Sequence, residues 1–417
     1  MLKKAGELDT GYGENGYAAF PGMPPDKNAY VIAVTQNTDG SLSVACSSQG
    51  EERGNYFSRL TPNGKWDDAM GFKPVIVATG QDASAGHFSM LTHSRGGNTY
   101  VAQAKTYFRE ADDDTETCAV GQYDLTFTAL AGFGKLGITL HVPDNAPTEP
   151  NTKEPIKVLR SERVGGAIRS LYMAKRSTDS APTAWLALLD PLSGMPLPGL
   201  GEDGSKTQLA LPILDVEPGT PTYPLTITDS YFFDDGSLLL AGTTDWRQVI
   251  ARFRPDGLLD TNFIIRQVAA FRKEVKVAVD LENQRIVTVA GTPRNFGEKS
   301  ALIVRRYLLD GRIDTEFGND GLTNVYFDNF EWNTVHGVGI DSEQRVMIGT
   351  NQRNGIDESN DATVTRLLAN GDTDETFGSQ GHFQDAKLQL ENLLFNEGEL
   401  KLLTRRGNDF LAIRLHL

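Results

Sequence analysis

The residues of this chain that invite a chemical reading are glycine-rich loops, scattered histidines and short acidic runs. Three segments carry the G-x-G-x-x-G spacing of a phosphate-cradling loop: "GYGENG" (Gly11 to Gly16), "GFGKLG" (Gly132 to Gly137) and "GLGEDG" (Gly199 to Gly204). Such a loop holds a pyrophosphate only where a strand leads in and a helix N-terminus follows. Here β-rich sequence follows each one, so all three are read as turns. "GLGEDGSKT" also approaches a P-loop, but Ser205 stands where the lysine belongs and Lys206 is displaced by one. There is no H-E-x-x-H, no G-x-S-x-G and no C-x-x-C.

Metal chemistry is weighed in the same way. His87 and His93 fall near one expected inner strand and His336 near another, without metal-ligand spacing. The runs "READDDTET" (Glu110, Asp112, Asp113, Asp114, Glu116) and "NGIDESNDA" (Asp357, Glu358, Asp361) lack the glycine and terminal glutamate of a calcium loop, and read as solvated acidic loops. No cofactor is expected, with bound calcium left open. Cys46 and Cys118 lie in different repeat units and read as small buried apolar residues.

The elements that must position any site follow from a recurring pattern. "GRIDTEFGNDG" (from Gly311) and "GDTDETFGSQG" (from Gly371) match "GELDTGYGENG" (from Gly6), and weaker copies begin at Gly64, Phe127, Gly194 and Gly257. The intervals run from 54 to 67 residues, the length of a four-stranded antiparallel blade with its loops. The expected fold is all-β: a single β-propeller over residues 1–417, with seven four-stranded blades. After Gly371 no further copy follows, so residues 6–20 are expected to complete the last blade, a strand near Tyr17 to Phe20 closing the ring and leaving no open edge. Turn dipeptides such as Asp39-Gly40 and Asp235-Gly236, set between apolar runs, mark the hairpins.

Within the pattern, glycine permits positive φ. The aspartate (Asp9, Asp67, Asp260, Asp314, Asp374) can accept backbone N–H bonds in an Asx turn. The aromatic (Tyr12, Phe133, Phe263, Phe317, Phe377) is expected to pack between blades. Leu130 and Leu197 replace the aspartate in two copies, whose turns must be held differently. On these residues the chain resembles the delta-60 repeat family of bacterial β-propellers over nearly its whole length. The resemblance implies a propeller architecture and no particular activity.

The net charge of −15 disfavours a nucleic-acid partner, which needs a basic surface. No apolar run is long enough to span a bilayer. The N-terminus has no apolar h-region, so a cytoplasmic location, or export without a conventional signal peptide, is expected. The chain is expected to be a monomer.

With the four strands of a blade labelled A to D from the centre outward, strand alternation places A–B and C–D turns on one face of a propeller, and B–C loops with the links between blades on the other. Nearly all long segments fall on the second face: residues 106–117, 142–155, 176–184, 215–224 and 351–361. Loops on a rigid scaffold are where binding usually resides. Tyr107, Phe108, Arg109, Tyr223, Trp246 and Trp332 are therefore the candidate ligand-binding residues, with Phe296 a further aromatic on that face. Aromatic rings beside Asp, Asn and Arg suit a glycan or a protein ligand. The leading expectation is a non-enzymatic binding or scaffolding propeller. The alternative is a hydrolase, lactonase or lyase with a metal or acidic cluster at the central channel, which fold analogy alone supports.

Overall fold

A computed structural model describes residues 4–20, 29–48, 54–75, 87–93, 99–110, 113–134, 138–141, 157–174, 183–201, 204–209, 226–244, 247–263, 266–269, 274–292, 300–327, 332–353, 360–396, 398–407 and 409–417. The chain is an all-β propeller. A short N-terminal strand, β1 (Tyr17–Ala19), is set aside until the end. The first sheet is then β2 (Ala29–Gln36), β3 (Leu42–Ser48), β4 (Gly54–Leu60) and β5 (Lys73–Val75). The second is β6 (His87–His93), β7 (Thr99–Glu110), β8 (Asp113–Asp124) and β9 (Ile138–His141). The third is β10 (Lys157–Val164), β11 (Ala167–Ala174), β12 (Thr183–Leu189) and β13 (Lys206–Gln208). The fourth is β14 (Thr226–Phe232), β15 (Leu238–Thr244), β16 (Arg247–Phe253) and β17 (Arg266–Ala269). The fifth is β18 (Val275–Asp280), β19 (Arg285–Thr292), β20 (Ser300–Leu308) and β21 (Leu322–Phe327). The sixth is β22 (Trp332–Ile340), β23 (Val346–Arg353), β24 (Asn360–Leu367) and β25 (His382–Asp385). The last joins both ends of the chain: β26 (Gln389–Asn396), β27 (Glu399–Arg406), β28 (Asp409–Leu415) and then β1.

Ring closure uses the register Tyr17↔Ile413, Ala18↔Ala412 and Ala19↔Leu411, antiparallel, as the position of the first repeat copy predicts. Each apolar cluster lies between two neighbouring sheets. Leu171 of the third packs with Leu238 of the fourth, Met347 of the sixth with Leu402 of the last, and Val44 of the first with Leu403 of the last. The core is thus a circle of inter-sheet layers that returns to its start. The buried runs of β11 and β19 follow from this, since both faces of a middle strand meet a neighbouring sheet.

Of the segment Thr106 to Thr117, read from sequence as an irregular loop, residues 106–110 and 113–117 belong to strands: β7 and β8 pair out to Glu110↔Asp113. Its charged and polar residues on both faces hide the alternation that normally reveals a half-buried strand.

Candidate functional site

The repeat motif carries most of the described side chains with chemical potential. It lies between the third and fourth strands of each sheet. Its aspartate accepts a backbone N–H two residues on, as in Gly11 to Asp9 (3.1 Å), Asn262 to Asp260 (3.0 Å) and Thr376 to Asp374 (3.0 Å). The other carboxylate oxygen meets an arginine on the third strand. Arg252 Nε donates to Asp260 at 2.7 Å, Arg306 to Asp314 at 2.7 Å, Arg366 to Asp374 at 2.8 Å and Arg414 to Asp9 at 2.8 Å. The same guanidinium lies over the motif's aromatic ring, 4.7 Å from the centroid for Arg306 over Phe317 and for Arg366 over Phe377. Those rings are fully buried, worth roughly 1.5–3 kcal/mol each.

The arginine also reaches across to the next sheet. Arg252 Nη1 donates to the Leu309 carbonyl (3.2 Å), Arg306 to Ala369 (2.5 Å), Arg414 to Pro62 (3.2 Å) and Arg59 Nη2 to Leu125 (2.5 Å). Beside it, the motif's second glycine donates its N–H to the following turn: Gly318 to Asn370 (2.7 Å), Gly378 to Ala5 (2.8 Å) and Gly13 to Asn63 (2.8 Å). A Cβ on Gly371 would lie 2.9 Å from Gly318 N, so the turns touch through glycine. Each motif is therefore a clamp from one sheet to the next. The sequence reading found the Asx turn and the inter-sheet ring but not the arginine. Its signal is a fixed spacing of eight residues ahead of the aspartate.

The two divergent copies confirm that the parts act together. Leu130 N–H bonds the Gln122 carbonyl and Leu197 N–H bonds Leu188, the positions that Arg252 and Arg306 hold elsewhere. Where the acid is lost, the base is lost with it. In the third sheet, Arg169 pairs across the strands with Leu188 and donates to the Pro255 carbonyl at 2.8 Å, restoring the link to the next sheet.

The channel wall is built differently. In β2, β6, β10, β14, β22 and β26 the register with the neighbouring strand skips one residue, placing Ile32, Ser89, Leu159, Thr228, His336 and Glu391 at bulges near the start of each inner strand. β18 pairs without a skip. His336 Nε2 accepts from Asn351 Nδ2 (2.9 Å), and the Asn351 amide also exchanges two hydrogen bonds with the Leu390 backbone (2.8 and 2.7 Å). Burial pushes the His336 imidazole down to about 4, with a bond to the Glu391 backbone opposing the shift and Lys276 adding to it. His336 is accordingly neutral near pH 7, with its hydrogen-bonding capacity committed. Burial raises the neighbouring Glu391 carboxyl, and Arg405, 3.4 Å away, offsets part of that. These groups orient and stitch the inner strands. Among the described residues, no three His, Cys, Asp or Glu side chains converge as metal ligands.

A cavity of about 350 Å³ opens at the turn end between the fourth and fifth sheets, lined by Phe233, Asp234, Asp235, Arg252, Leu281 and Leu309 among others. The Arg252–Asp260 pair at its floor is more exposed (24% and 10%) than Arg366–Asp374 (2% and 6%).

Of the residues expected to bind ligand, Tyr107, Phe108 and Arg109 fall in β7, opposite Glu116, Thr115 and Asp114, and Trp332 opens β22 opposite Arg353. Their side chains lie outside the described residues, as do Tyr223, Trp246 and Phe296. The first acidic run lies in β7 and β8 by its backbone, apart from Asp112, which lies outside, as do Asp357 and Glu358. Asp361 accepts from Gln384 at 3.0 Å. Cys46 is buried, and burial raises its thiol to about 12, as expected of an inert core residue.

Comparison with known proteins gives the fold a short family match. The description "Domain of unknown function (DUF5122) beta-propeller" fits residues 234–263, one hairpin turn through one motif. A Drosophila melanogaster protein described as a putative inactive polypeptide N-acetylgalactosaminyltransferase 12 is 24% identical over 156 residues, 37% of this chain. The chain spans 25% of that protein's length. Among solved structures, Pyrococcus horikoshii acylaminoacyl peptidase is similar at 11% identity and a TM-score of 0.43, covering 93% of this chain and 52% of its own. Prolyl oligopeptidase B from Galerina marginata is similar at 10% and 0.45, covering 90% and 47%. The propeller domain of the Trilobed protease from Pyrococcus furiosus is similar at 8% and 0.34, covering 79% and 93%.

Proposed function

We propose that this chain is a seven-bladed propeller of delta-60 repeats that acts as a binding or scaffolding module, holding a glycan or protein ligand on the face of the B–C and inter-blade loops. The observation that carries this reading is the different use of the two ends of the sheets. At the turn end, the Asp, Arg, aromatic and Gly of the repeat are spent on inter-sheet clamps. The long connections, such as residues 142–156 between β9 and β10, join strand ends on the other side. At the inner-strand bulges near that end, Thr228, His336 and the Asn351 facing it are committed to orienting bonds, which suits a rigid platform.

The test is a glycan array and an affinity capture with purified chain, each repeated with Tyr107→Ala/Phe108→Ala. Saturable binding to a defined ligand, weakened by that variant without loss of melting temperature, supports the reading. Turnover of an ester, lactone or polysaccharide that requires an added metal ion, with no ligand retained by the intact chain, contradicts it.

A further inference from the structure

The opposite face also carries an unused surface. Among the described residues, the large apolar side chains most open to solvent include Leu125, Leu192, Met195, Leu258, Ile313 and Leu368. All six lie on the C–D turns of the second to sixth sheets, and Leu192 and Met195 are 75% and 63% exposed. Consecutive turns are in direct contact: Gly134 N–H bonds Ser193, Gly201 bonds Asp256, Arg252 bonds Leu309 and Gly318 bonds Asn370. The apolar groups therefore sit on one continuous arc of turns rather than as scattered exceptions. The cavity between the fourth and fifth sheets opens at the same end, with Leu281, 40% exposed, on its wall.

The charge of the arc is one-sided. By sequence its turns bear Asp124, Asp190, Glu202, Asp203, Asp256, Asp310, Glu316, Asp320, Asp372 and Glu375, besides the clamp aspartates, against Lys135, Arg254 and Arg312. Both arginines are already paired within their own turns, Arg254 with Asp256 at 2.9 Å and Arg312 with Asp310 at 2.8 Å.

We propose that this arc, from the second to the sixth sheet, is a docking surface for a basic protein segment with apolar anchors. Leucine-sized side chains of the partner would cover the exposed Leu and Met groups, one of them entering the cavity, and Lys or Arg would face the acidic turns. A second copy of this chain is a poor occupant, because both partners would carry the same acidic excess.

The experiment is fluorescence anisotropy with a labelled peptide alternating Lys and Leu, beside Glu–Leu and Lys–Ser peptides of equal length. The expected result is saturable binding of the Lys–Leu peptide alone, weakened at least tenfold by Leu192→Ser/Met195→Ser/Leu258→Ser and weakened again by raised salt. These side chains are exposed, so an unchanged melting temperature will show that the variant is folded. Absence of Lys–Leu binding, equal binding of Lys–Ser, or indifference to the triple variant overturns the proposal. So does sedimentation showing that the intact chain dimerises and that the triple variant does not, since a second copy would then be the occupant.

Discussion

The sixth sheet and the third solve one problem with different residues. The sixth uses a buried ion pair, Arg366 with Asp374, capped by Thr376 and stacked on Phe377. The third has leucines at both positions, Leu188 and Leu197, and moves a guanidinium to Arg169 on the adjacent strand. The difference teaches that contact with the next turn outlasts the ion pair: Gly378 N–H bonds Ala5 in the sixth sheet, and Gly201 N–H bonds Asp256 in the third. A buried pair is costly to break yet often replaceable as a unit, because desolvation offsets much of its attraction. The third sheet is that replacement, already present in the same molecule.

Breaking this equivalence should give the largest effect. Asp374→Leu leaves Arg366 as an uncompensated buried cation and is expected to cost about 3–5 kcal/mol in chemical denaturation. Arg169→Leu removes a charge-assisted bond to Pro255 but strands no buried carboxylate partner of its own. Its expected cost is about 1.5–3 kcal/mol by the same measurement.

The comparison is sharpened by pH. Burial would raise the Asp374 carboxyl, but hydrogen bonds from Thr376 and the Arg366 charge more than offset it and hold it below its ordinary value. The clamp's stability is thus present above the unfolded carboxylate range and lost as pH falls through the folded value. His336 acts in a separate window. Its folded value of about 4 lies below the ordinary 6.5, so the unfolded chain binds the proton first. Stability should be full above about pH 6.5 and fall toward pH 4 by about 1–3 kcal/mol. That slope should disappear in His336→Gln, measured by melting temperature against pH. The smallest effect is expected at the exposed Arg254–Asp256 pair, where Arg254→Ala should change stability by less than about 1 kcal/mol.

Much of the architecture was legible because the motif turns are local. The glycine at Gly311, the Asx aspartate Asp314 and the ring of Phe317 all lie within one short segment, and the missing copy after Gly371 pointed to the strand at Tyr17. Arg306 was not legible, because it lies in a strand whose alternation only marks it as one polar residue among others. Its acceptor, the Ala369 carbonyl, belongs to the next sheet. Arg169 was hidden further, since its role depends on lying opposite Leu188. The inner-strand bulges at Thr228 and His336 leave no trace in local pattern, because register is a property of two strands. The candidate aromatics Tyr107 and Phe108 were read from a loop, yet their backbone continues β7.

The most direct test of the motif's acid and base as one unit is a double-mutant cycle with Arg366→Leu, Asp374→Leu and both together, read by denaturation midpoint and slope. Each single change should destabilise strongly, and the double should recover to within about 1–2 kcal/mol of the parent, as the leucines of the third sheet foreshadow. A double variant whose loss equals the sum of the singles would contradict it, showing that the two residues act separately.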